Sequence, residues 1–148
     1  MIVAKFLHIL GFIVWVGGMF FAYMALRPVA ASQLEPVQRL PLWRGVFAKF
    51  FPWVWLAVGL ILASGVYMMG QMGKPPLYVL AMFVIGIVMM LIFGHIFFAP
   101  YKRLQRTVDA QDWKAAGTAL GTIRKLIGIN LILGLITTAI GALGQLGL

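Results

Sequence analysis

The sequence has no cysteine and only three acids, Glu35, Asp109 and Asp112, in 148 residues. Without thiols there is no disulfide, no thiolate metal site and no Cys-held iron–sulfur cluster. All three acids fall outside the long apolar runs. Carboxylate proton relays, paired-carboxylate hydrolysis and most ion-coupled transport therefore lose their machinery. There is no P-loop-type glycine-rich segment, no convincing internal repeat, and no pair of interrupted helices of the kind secondary transporters use.

What is present is hydrocarbon. The chain is 63% hydrophobic and 10% charged, outside the range of soluble domains. Apolar runs cover roughly 4–26, 46–69, 77–99 and 126–146. Each is about 20 residues or longer, enough to cross a hydrocarbon core of about 30 Å as a helix that satisfies its own backbone. The expectation is one domain, 1–148, all-α, a four-helix transmembrane bundle. The first run is read as a spanning helix rather than a cleaved leader, because it is too long for a leader core and its flanking charge is at the wrong end.

The net charge is +9. Arg27, Arg39, Arg44 and Lys49 lie between the first two spans; Lys102, Arg103, Arg106, Lys114, Arg124 and Lys125 lie between the last two. Only Lys5 and Lys74 fall on the other side. This asymmetry predicts that both termini face the periplasm or exterior. The basic residues then serve topology and anionic headgroups; no basic–aromatic comb for nucleic acid is present.

The first cytoplasmic connection, "RPVAASQLEPVQRLPLWRG", is interrupted by Pro28, Pro36 and Pro41, and is expected to hold a short interfacial helix anchored by Trp43. In the second, Asp109 is the candidate N-cap, with Asp112 three residues on, of a surface helix over about 110–122. The external connection, "MMGQMGKPP", is short.

With carboxylates gone from the spans, His8 and His95 are the ionisable groups left inside them, and such residues are functional candidates by default. On the first helix His8 shares a stripe with Gly11, Trp15, Gly18 and Ala22, small residues that admit a neighbouring helix, so His8 should face the bundle. Gly134 and Gly141 do the same on the last helix. His95 lies about 19 residues into a helix running parallel to the first, so the two imidazoles differ in depth by roughly 20 Å. Metal–nitrogen bonds are about 2 Å. Two separate sites are therefore expected in one chain.

At the outer site, Met68, Met69 and Met72 crowd the external loop, and Ser64 and Met82 should match the depth of His8. Thioethers are soft ligands for Cu(I), and imidazole accepts copper in either common state; methionine is also ordinary membrane-core filler. At the inner site, Asn130 should lie level with His95 and could orient its ring. Arg124 and Lys125 could meet haem propionates there, or simply serve topology. Two histidines near opposite faces would also suit two b-type haems. A parallel homodimer would then supply symmetry-related second ligands; methionine is another partner.

These residues carry a resemblance. "LHILGFIVWVGGMFF", "LWRGVFAKFFPWVW", "GHIFFAPYKRL" and "IRKLIGINLILG" are similar, in order, to the short members of the CopD copper-resistance family. The resemblance implies an inner-membrane protein of copper homeostasis that handles copper at the periplasmic face, with a periplasmic copper-binding protein as partner. It also implies a haem-containing, copper-reducing oxidoreductase role as one form of that function. "KFLHILGFIVWVGG" is similar to the first helix of the HemJ-type protoporphyrinogen oxidase family, with His8 on that family's histidine. Where that family has a His-x-Lys pair in the third helix, this chain has Tyr78 and Leu80. Four functions follow as alternatives: copper handling with haem b, copper or both; a dimeric b-type haem protein moving electrons across the membrane without copper; a HemJ-like haem oxidoreductase; and a structural membrane subunit whose histidines merely pack.

Overall fold

The structure, a computed structural model, describes residues 1–147. Four helical stretches are long and apolar enough to cross a membrane: Ile2–Gln33, Pro36–Gln71, Leu77–Asp109 and Trp113–Gln145. Within them the chain runs α1 (Ile2–Phe21), a π-helical segment Ala22–Leu26, α2 (Arg27–Gln33), α3 (Pro36–Gln71), α4 (Leu77–Phe98), α5 (Pro100–Asp109) and α6 (Trp113–Gln145). The all-α, four-helix expectation holds. Alpha-helix α1 packs mainly along α3, while α4 and α5 pack along α6.

Both connections on the basic side depart from expectation in the same way. At about 1.5 Å per residue, α3 and α6 are each about 50 Å long, well beyond a hydrocarbon core of about 30 Å. The proline-rich stretch is mostly the first turns of α3, with Pro36 at the helix start and Pro41 and Pro52 inside it. Each internal proline frees a carbonyl four residues back, at Val37 and Ala48, and both residues are exposed. Trp43 is not an interfacial anchor: it is buried and packs on Phe47, with ring centroids 5.3 Å apart.

In the second connection the short helix is α5, not 110–122. Its Pro100, Tyr101, Leu104 and Val108 are buried, against an α6 face that includes the fully buried Ala116 and Ile123, and its Lys102, Arg103 and Arg106 are exposed. Asp109 ends α5 and pairs with Arg44 of α3. The cap is Asp112, whose carboxylate accepts from Ala115 N–H at 3.2 Å, and α6 continues unbroken from Trp113 past residue 122 and on into the span. Between them Gln111 takes a left-handed conformation (φ 56°) to turn the chain.

The stripe read on the first helix is an interface. Gly11, Trp15 and Ala22 are buried, and at Gly11 a Cβ would lie 3.1 Å from the Ala57 carbonyl oxygen of α3. Gly134 lets Val16 and Met89 close onto α6 in the same manner, and Gly141 receives the Met82 thioether.

Candidate ligand site at His8

His8 sits near the start of α1, where the Gly11 contact has already brought α3 close. Its Nδ1 is 3.1 Å from the Ile61 carbonyl oxygen and 3.0 Å from Ser64 Oγ. A carbonyl only accepts, so Nδ1 carries the proton of the neutral ring. Ser64 Oγ donates to the carbonyl of Leu60 and so can accept from the ring. One N–H is thus shared between two acceptors of α3. Gly65 completes the seat: a Cβ there would be 3.2 Å from His8 Cε1.

The consequence is chemical. With Nδ1 fixed as donor, the available lone pair is on Nε2, which has no hydrogen-bond partner among the described residues and is not sealed from outside. A hydrogen bond at one ring nitrogen, with the other free to coordinate, is how proteins orient imidazole ligands. An imidazole nitrogen with a free lone pair is a donor of the kind that haem iron and copper accept.

On α3, Ile61, Ser64 and Gly65 are followed on the same face by Met68, at the spacing that repeats one helical side, and Met72 is the residue just past the helix end. Met68 and Met69 are half-buried and Met72 is exposed. Met82 is placed differently. Its sulfur and methyl group lie over Gly141 in the α4–α6 contact, whereas His8 is held by α3. Tyr78 and Gly144 meet in that α4–α6 contact too.

His95 departs from expectation. The inward face of α4 carries Met89, Phe93 and Ile96, all buried. His95 is two residues from Phe93, about 200° around the helix, and is exposed on the outside of the bundle. Nor does Asn130 lie level with it. Asn130, 1% exposed, donates from Nδ2 to the Met89 carbonyl at 3.0 Å, six residues or about 9 Å along α4 from His95. Its Oδ1 is buried without a partner. The two histidines do lie toward opposite ends, one near the start of α1 and the other near the end of the parallel α4. Among the described residues no group of three or more His, Cys, Asp or Glu converges.

Sequence reasoning did not find a second polar feature. At the basic end a cavity of about 240 Å³ is lined by Tyr23, Arg27, Arg39, Trp43 and Arg124, with Gly117 and Gly121 on its α6 wall. Its arginines are visible in the sequence; their convergence is not, because they come from three helices.

Four apolar helices of spanning length make this a multi-pass membrane protein. Residues 44–143 match the family model of copper resistance protein D, CopD. That is more than half of the chain, which belongs to the CopD family of copper-resistance membrane proteins. The match runs from α3 into the last turns of α6, so His8 and the rest of α1 lie ahead of it. No curated protein and no solved structure matches the chain.

Proposed function

We propose that this CopD-family protein binds copper at the His8 end of the bundle and passes it on there, with His8 Nε2 as the imidazole ligand. The observation that carries the reading is the forked Nδ1–H bond to Ile61 and Ser64, which aims a free lone pair while spending the rest of the ring on α3. Met68, next on the same face of α3, Met69 beside it and Met72 just past the helix end add soft thioethers suited to Cu(I). The charge asymmetry supports a periplasmic location for this end, since the opposite end holds almost all the basic residues. Copper arriving from outside, or from a periplasmic carrier, would meet this end first.

The same nitrogen suits haem b, which when bound would supply a one-electron couple. In that form His8 Nε2 would hold the iron, with Ile61 and Ser64 setting the orientation of the imidazole. A dimeric b-type reading is favoured by one observation: His95 points out of the single-chain bundle, where a second copy could face it.

The test is metal analysis with absorption spectroscopy on one detergent-purified sample, followed by Cu(I) competition against a chromophoric chelator. The proposal expects Cu(I) binding that weakens about 100-fold or more in His8→Ala, beyond the 10–100-fold typical of losing a supporting residue. A red preparation with a Soret band that His8→Ala removes assigns haem to this site. A Soret band lost only in His95→Ala assigns it to the dimer face. Unchanged copper affinity and no haem in His8→Ala would remove His8 from the function.

A further inference from the structure

The arginine-lined cavity is at the other end of the molecule and is independent of the His8 reading. Arg27 follows the π-helical segment Ala22–Leu26, Arg39 is in the first turns of α3, and Arg124 is on α6; all three border the cavity. Among the described residues the ion pair is Arg44–Asp109, so none of these three guanidinium groups has a carboxylate oxygen within 4.0 Å. Two are fixed in place by carbonyls. Arg27 Nε donates to Tyr23 O at 3.2 Å, with its guanidinium 4.5 Å from the centre of the Tyr23 ring. Arg39 Nη1 donates to the Leu34 and Ala31 carbonyls at 3.2 and 3.4 Å. Each keeps further N–H groups for a ligand.

Three cations around one cavity, two of them fixed in place, call for an anion, and the arginine fork matches phosphate oxygens two at a time. The rest of the lining is apolar and aromatic: Trp43, Phe47, Leu120 and Ile127. Such a lining suits an anion attached to hydrocarbon. Depth agrees. Arg27 is about 38 Å along the helix from Ile2, and Arg124 about 32 Å from Gln145. Both distances exceed a hydrocarbon core of about 30 Å, which puts the two arginines at or beyond its edge on the basic side. The π-helical segment is a second sign, since an inserted turn of this kind is frequent at functional sites; here it supplies Ala22 and Tyr23 to the cavity wall.

We infer that this cavity binds the phosphate of an anionic membrane lipid, with Arg27, Arg39 and Arg124 on the phosphate oxygens and the apolar wall against the start of the acyl chains. Gly117 and Gly121 border the cavity with open space beside them: a Cβ added at either meets nothing within 4 Å.

The test uses the full chain, delipidated in mild detergent, and native mass spectrometry with titrated phosphatidylglycerol, phosphatidylcholine or inorganic phosphate. Wild type should bind one phosphatidylglycerol about 10-fold or more tightly than phosphatidylcholine. Arg27→Gln, Arg39→Gln and Arg124→Gln should each lose about 10-fold, the scale of one hydrogen bond to a charged group. Arg103→Gln, on the exposed face of α5 and outside the cavity, should lose little. Gly121→Leu should abolish the bound lipid with every charge retained, which separates filling the cavity from misfolding an arginine variant. Equal binding of the two lipids, full occupancy in Gly121→Leu, or displacement of phosphatidylglycerol by millimolar inorganic phosphate would each overturn the lipid assignment.

Discussion

The two ends of this bundle are built from the same hydrophobic stock and behave as different materials. At the basic end large rings fill the space between helices. Phe47 and Phe51 stack at 4.9 Å and 10°, Tyr101 meets Phe51 edge-on at 4.9 Å, and Phe93 meets it at 5.4 Å. At the His8 end the contacts are made by Gly11, Ala57, Ser64, Gly65 and Gly141. In a membrane, where water expulsion does not drive helices together, close packing and interhelical hydrogen bonds do. Rings hold helices apart at a fixed distance and leave a cavity that arginines can surround. Small residues let backbones approach until a side chain on one helix reaches a carbonyl on the next. The imidazole of His8 can be held by Ile61 only because of that approach.

The largest expected effect tests whether the two histidines are as different as their surroundings. His8→Ala should reduce copper or haem retention about 100-fold or more, while His95→Ala, on the outer face of α4, should leave that site's affinity within about 2-fold; chelator competition in detergent measures both. Equal losses would mean that the ends are coupled and that the comparison is mistaken. The next effect is on stability. In Gly11→Val the new side chain would be driven against the Ala57 carbonyl and Ile61, and overpacking of this kind costs about 1–3 kcal/mol. Gly117→Ala, with open space around the new Cβ, should be neutral or stabilise by up to about 1 kcal/mol, the helix preference for alanine. Thermal unfolding in one detergent compares them directly. Ser64→Ala should follow, with about a 10-fold loss of ligand affinity and little change in melting temperature, because it removes one of the two acceptors of His8 Nδ1–H and leaves Ile61. Loss of folding in Ser64→Ala would show that Ser64 supports the bundle more than it orients the ring.

How much of this was legible in the sequence depended on periodicity. The four spans were readable from length and hydropathy alone. The first helix could also be phased, because Gly11, Gly18 and Ala22 mark one side, and His8 fell on it correctly. Helix α4 could not. It is apolar all round, so nothing in "LYVLAMFVIGIVMMLIFGHIFF" distinguishes the face of Phe93 from that of His95. Depth counted from run boundaries then paired His95 with Asn130, whereas Asn130 meets α4 at Met89, about 9 Å along the helix from His95. The proline-rich connection misled for a related reason. Prolines usually break helices, but here they sit on exposed faces of a helix that extends beyond the apolar run. Asp112 was seen as part of a cap motif but placed three residues after the N-cap, the position it in fact occupies. Proline and aspartate rules describe local preference; the packing of α5 on α6 decided where each helix started.

The smallest effect concerns the turn that makes that packing possible. Gln111 holds φ at 56° between α5 and α6, a conformation in which a side chain crowds its own backbone and glycine does not. The turn brings Asp109 to the end of α5, where Arg44 meets it, and three residues later lets Asp112 cap α6. Gln111→Gly relieves the crowding at a cost in the entropy of the unfolded chain, and the balance should be a stabilisation of about 1 kcal/mol or less. Thermal unfolding would register it as a small rise in melting temperature, with copper retention at His8 unchanged. A fall in melting temperature would show that the Gln111 side chain makes a contact worth more than the strain. A change in copper retention would show that a turn at one end reaches the ligand site at the other, and the two ends would have to be treated as one unit.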